Sequence, residues 1–211
     1  PHFRLTAEEI RDQALTVSGL LNPKLHGPSI MPYQPDNIWQ SVWNGAQWKK
    51  AEDGNQYRRA LYVFQKRTIP YPSMLSFDGS SREVCTQRRI RTNTPLVKLV
   101  TLNDPVYVET GVALARHMQQ QGAKHIAACI RWGYETAMYK PLPDNKLTVL
   151  QQLYNDALQE YRKKPGNADT LLVAYRDMPE AAGKQKDKTE LAALTVVANA
   201  IMNLDEFLIK S

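Results

Sequence analysis

The stretch Asp104-Pro105-Val106-Tyr107-Val108-Glu109-Thr110-Gly111-Val112-Ala113-Leu114-Ala115-Arg116-His117-Met118-Gln119-Gln120-Gln121-Gly122 decides the fold. An aspartate before a proline marks a helix start. The carboxylate can accept from first-turn amides, and proline loses nothing at the first helical position, where its missing N–H would be unpaired anyway. The helix then runs through Gln121 and stops at Gly122. Thr94-Pro95 sets the same device before Leu96-Val97-Lys98-Leu99-Val100. Downstream, a helix is predicted from about residue 123 to Tyr139, before Pro141 and Pro143. Leu147, Leu150, Tyr154, Leu158 and Tyr161 mark the next, closing at Lys164-Pro165-Gly166, and a short helix follows Asn167. Asp187 and Glu190 have capping-box spacing ahead of Leu191, Leu194, Val197, Ile201, Leu204 and Leu208, an apolar stripe at helical period. Residues 94–211 thus read as a helical bundle.

Upstream, Thr6-Ala7-Glu8-Glu9 is a capping box. Ile10, Ala14, Val17 and Leu21 behind it form the apolar face of a helix predicted to end near Asn22-Pro23. Pro23, Pro28, Pro32 and Pro35 with Gly27 forbid regular structure over 22–37, and the irregular, Pro-rich segment extends to about residue 56. It reads as an extended connection over the surface or across a partner domain. Tyr57, Leu61 and Phe64 fit a short helix, although Leu61-Tyr62-Val63-Phe64 also fits a strand; Pro70 and Pro72 end either. The fold class is mainly α: a single-domain helical bundle spanning 1–211, read as the C-terminal fragment of a larger protein.

The chain has 211 residues, 43% hydrophobic and 23% charged, and could bury roughly 70% of its unfolded surface without a disulfide or metal staple. Apolar residues recur throughout, which excludes disorder, and no run of about 18 apolar residues offers a transmembrane helix. Among the two cysteines, Cys129 in Ala127-Ala128-Cys129-Ile130 reads as a buried thiol on an apolar helix face. His2, His26, His117 and His125 fall into no HExxH spacing, and CxxC and CxxCH are absent, so no metal site is expected. A GxSxG elbow, a phosphate loop and a GxGxxG turn are also missing. Asp205 and Glu206 are adjacent on a helix and so point apart. One is expected to tether a neighbouring loop and the other to face solvent.

Charge distribution is the most informative feature. Between Tyr57 and Lys98 lie nine cations, seven of them arginines, against only Asp78 and Glu83. The planar guanidinium fork suits carboxylate, sulfate or phosphate. Arg58, Arg59, Arg88, Arg89 and Arg91 are therefore candidate anion-binding residues, with Trp39, Trp43, Trp48 and Tyr62 as stacking platforms or an interface. The alternative is that these arginines bridge irregular backbone carbonyls and helix acids, docking the loops onto the bundle. Nucleic acid is not the expected partner, since no helix-turn-helix, zinc finger or RNA-binding motif accompanies the charge.

Four stretches carry a family resemblance: Arg4-Leu5-Thr6-Ala7-Glu8-Glu9-Ile10-Arg11-Asp12 into Val17-Ser18-Gly19-Leu20-Leu21; Tyr57-Arg58-Arg59-Ala60-Leu61-Tyr62 to Lys66-Arg67-Thr68-Ile69-Pro70; Arg82-Glu83-Val84-Cys85-Thr86 through Arg88-Arg89-Ile90-Arg91-Thr92-Asn93-Thr94-Pro95-Leu96 to Leu102-Asn103-Asp104-Pro105; and Asn203-Leu204-Asp205-Glu206-Phe207. The chain resembles the C-terminal domain of unknown function 1553 of planctomycete-type proteins that carry a cytochrome c domain upstream. The resemblance implies an exported, periplasmic or cell-surface setting, with haem confined to an upstream domain and no cofactor in this one. It supplies no catalytic residues. It includes Cys85, whose neighbours Arg82, Arg88 and Arg89 would favour thiolate if the side chain were exposed; a buried thiol is the expectation. The functional expectation is a non-catalytic helical module that docks upstream domains of the same polypeptide or supports an electron-transfer assembly. The alternative is binding or processing of anionic, sulfated or carboxylated polysaccharide through the arginines.

Overall fold

A computed structural model describes residues 3–34, 38, 47–92, 94–122, 125–173 and 187–210. The elements are β1 (Phe3–Arg4), α1 (Ala7–Val17), α2 (Pro72–Ser76), α3 (Pro95–Asn103), α4 (Pro105–Gln121), α5 (Ile126–Met138), α6 (Asp144–Lys163), α7 (Pro165–Val173), α8 (Lys188–Met202), α9 (Asp205–Leu208) and β2 (Ile209–Lys210). The protein is mainly α, as the sequence implies. Among the described residues, no helix is long and apolar enough to cross a membrane.

α8 is the axis of the bundle. Its sequence is apolar on every side, and residues 191–195 are buried without a break, as are Val197, Ala198, Ile201 and Met202. A helix apolar all round must be surrounded. α4 and α6 make its main packings, with α3, α5, α7 and α9 completing the jacket. Asp187 caps α8 by accepting from the Thr189 and Glu190 amides at 2.8 and 3.4 Å. Asp104 caps α4 through Val106 N at 3.0 Å, behind the first-turn Pro105. At the other end of α4, Gly122 is required by a close approach: a Cβ there would lie 2.4 Å from the backbone nitrogen of Cys129.

Several boundaries differ from the sequence reading. α1 opens on the Thr6–Glu9 capping box but ends at Val17, because Gly19 turns left-handed at φ 76°. The helix expected over Tyr57–Phe64 does not form. That stretch is two 3-10 turns (Asn55–Tyr57 and Ala60–Tyr62) followed by an extended Val63. The stretch instead pairs through its backbone with the proline-rich segment. Asn22 N donates to Tyr57 O at 3.0 Å, Ile30 N to Tyr62 O at 2.7 Å, and Phe64 N to Ile30 O at 2.8 Å. Residues 22–30 are thus strapped to the chain's own 57–64 stretch. Pro72, read as a terminator, instead starts α2. Thr94 precedes α3 without a side-chain cap bond. The last helix breaks at Asn203, and α9 leads into β2, which pairs antiparallel with β1 through Phe3↔Lys210 and Arg4↔Ile209.

Candidate functional site

The basic segment divides into two unlike groups. Arg58 is buried, at 2% exposure. Its guanidinium donates to the carbonyls of Lys24 at 3.3 Å, Pro28 at 3.0 Å and also His26, and lies 3.7 Å from the centre of the Tyr62 ring. Three consecutive turns of an irregular strap thus share one five-donor fork, which no other side chain could supply. Arg59, beside it, is exposed and pairs with Asp12 at 3.0 Å, while the other Asp12 oxygen accepts from Ala60 N at 2.6 Å. Both fix irregular backbone to α1.

Arg88, Arg89 and Arg91 meet elsewhere, at a cleft of about 960 Å³ against the β1–β2 ribbon, walled also by Phe3, Ile90 and Ile209. Arg4 forms its floor. It is buried, ion-paired with Asp78, and donates to Thr92 O at 2.6 Å and Phe77 O at 3.2 Å. Arg89 Nη1 reaches both Glu8 oxygens at 2.9 and 2.7 Å. Burial would raise the Glu8 carboxyl, but the Arg89 bond and its own amide hold it below the usual range, and the same bond raises Arg89. Arg91 Nη1 donates to Arg4 O at 2.8 Å, and its guanidinium lies 5.4 Å from the Phe3 ring centre. Arg88 is exposed and has no partner among the described residues. The structure thus brings together Arg88, Arg89 and Arg91 but not Arg58 or Arg59.

A buried polar cluster between α1, α2 and α4 went unrecognised in the sequence. Arg11, 3% exposed, donates to Arg58 O at 3.0 Å and Gln56 O at 2.7 Å, while its Nε is unpaired. Ser73 donates to Asp104, and Tyr57 Oη to Glu109 at 2.6 Å. Burial raises both carboxyls against the lowering effect of these hydroxyls. It also pushes the Tyr71 and Tyr107 phenols up. Asp104 is marked in the sequence only as a helix cap, and nothing marks the others, because they fall at unrelated spacings on separate elements.

Trp39 and Trp43 lie outside the described residues. Trp48 Nε1 donates to Pro32 O at 2.7 Å, and its ring stacks on Tyr71 at 5.8 Å. Tyr62 carries Arg58 on its ring and accepts from His26 N at 2.8 Å. Cys129 is buried, as expected, and burial raises its thiol; Cys85 is exposed rather than buried, because the 82–91 segment runs along the surface. Glu206 does not face solvent alone. Tyr134 donates to it at 2.6 Å, with Lys146 and Lys140 alongside, and Asp205 accepts from Lys98 at 2.8 Å. The described residues contain no group of three or more potential metal ligands.

This architecture defines a class: a helical bundle with irregular segments at 22–34 and 47–64 that arginines bind to one another and to α1. The chain belongs to the family PSD1, described as a protein of unknown function (DUF1553), whose match covers residues 1–154. The match takes in the basic segment, all of α4 and α5 and the first half of α6, and ends before Asn203–Phe207. No curated protein and no solved structure matches the chain.

Proposed function

We propose that this chain is a non-catalytic docking module of an exported, cytochrome-c-containing polypeptide, seated against upstream domains and supporting an electron-transfer assembly. The observation that carries the reading is α3. Val97 and Thr101 face the core, while Leu96 and Leu99 are more than half exposed and Leu102 is 39% exposed. Below Leu102 the surface continues into a groove of about 490 Å³ lined by Val108, Tyr161, Leu171 and Val196. A helix apolar on both faces is built to be covered on both. Burying a leucine fully is worth about 2 kcal/mol, so covering three half-exposed ones would contribute about 3 kcal/mol to docking. The arginine staples favour the same reading, because they hold the irregular segment in one shape.

The test is association of the chain with the upstream part of its own polypeptide, before and after the paired change Leu96→Lys and Leu99→Lys. Both side chains face solvent, so the melting temperature should move by no more than a few degrees while affinity falls at least tenfold. Unchanged affinity would contradict the proposal.

A further inference from the structure

We propose that the cleft between the β1–β2 ribbon and residues 88–91 binds a carboxylate or sulfate carried on a ring. This goes beyond the docking role and does not rest on it. The arginines of the cleft differ in how many donors they have left. Arg4 is consumed by Asp78 and by backbone carbonyls. Arg89 spends Nη1 on Glu8, and Arg91 spends Nη1 on Arg4 O, so each keeps Nε and Nη2 without a partner among the described residues. Arg88 keeps its whole fork. The acids paired with or near these groups are Asp78, Glu8 and Glu9, against the four arginines of the cleft and Arg82 near Glu8, which leaves a positive surplus. The cleft therefore favours an anionic group, and unspent guanidinium N–H groups are the donors that a planar carboxylate or a sulfate accepts best.

The walls specify what carries the anion. Phe3 is 49% exposed and Ile90 79% exposed, so a flat aromatic face and an aliphatic side chain stand beside the charge. Apolar walls with a few convergent polar groups, in a volume of about 960 Å³, match a ligand of two or three rings better than a bare ion. The pairs Arg89–Glu8 and Arg91–Arg4 O hold two of the guanidinium groups in place before binding, which lowers the ordering cost.

Calorimetric titration of the 211-residue chain at low salt tests this with five probes: trigalacturonate, a chondroitin sulfate disaccharide, 2-naphthoate, acetate and inorganic sulfate. At least one ring-borne anion should bind tenfold or more tighter than acetate and sulfate; which of the first three does so separates sugar from aromatic carriers. Arg88→Ala should weaken that ligand at least tenfold, and Phe3→Ala about fivefold. Arg67→Ala, an exposed arginine outside the cleft, should change it less than twofold. The proposal is overturned if no ring-borne anion binds, if the ring-free ions bind as tightly, or if Arg67→Ala costs as much as Arg88→Ala. The last result would mean diffuse attraction to a basic surface.

Discussion

Truncating Arg58 to alanine would remove the buried side chain that gathers the carbonyls of Lys24, His26 and Pro28, three residues of an exposed strap. Water can reach the freed carbonyls, so the cost is that of the lost charge-assisted hydrogen bonds and of the packing of a buried side chain, and Arg58→Ala should destabilise by roughly 3 kcal/mol. Arg58→Lys keeps the charge but not the fork and should recover only part. Arg59→Ala removes an exposed pair and should cost less than about 1 kcal/mol. Chemical denaturation of the three variants checks the ranking. Two glutamates offer opposite pH signatures. Bonds from Lys146 and then Tyr134 lower Glu206 from 4.5 to about 2, against burial. A depressed carboxyl stabilises above its unfolded pKa and loses that stability as pH falls towards the folded value. Glu206→Gln should therefore lower the melting temperature at pH 7 and flatten its fall between about pH 4.5 and 2. Burial raises Glu109, so its ionised form costs stability as pH rises through the raised value. Glu109→Gln retains an acceptor for Tyr57 and should match or exceed the parent's melting temperature at pH 7, with the difference closing in acid.

Between elements, the close approach of α4's end to α5 gives a comparison. A Cβ at Gly122 meets the Cys129 backbone at 2.4 Å, whereas one at Gly133 meets the Met118 thioether at 2.6 Å. Backbone cannot yield and a methionine can. Gly122→Ala should cost about 3 kcal/mol and Gly133→Ala about 1 kcal/mol, read as denaturation midpoints. The elements best visible in sequence were those with both a start signal and a period. Asp104-Pro105 for α4 and Asp187 for α8 are caps that act within three residues of themselves. The helix reading of residues 57–64 fails, and the extended alternative holds only at Val63, because the backbone there bonds to Asn22 and Ile30, more than 30 positions away. The ribbon carries no local signal, since two residues at each end pair only once the bundle has brought them together. Cleft arginines were named from composition, but the separation of Arg58 and Arg59 from Arg88, Arg89 and Arg91 depends on partners such as Glu8, 81 positions from Arg89. Arg11, Glu109 and Ser73 had no spacing to betray them.

In the whole molecule, arginine stapling and an uncovered leucine face are complementary. Arg58 binds the 24–28 strap to the 58–62 stretch, while Arg11, Arg59 and Arg89 bind irregular backbone to α1, so the surface around α1 keeps one shape. α3 then presents Leu96, Leu99 and Leu102 from that rigid frame. A docking surface gains affinity from such preorganisation because little ordering remains to be done on contact. The most direct test of the docking role is amide hydrogen exchange over residues 94–103, measured in this chain alone and in the complete polypeptide that the docking proposal assigns to it. Exchange at least tenfold slower in the complete polypeptide, with α8 unchanged, is the predicted result. Equal rates over α3 in the two would show its leucines facing water in both, and would contradict the account.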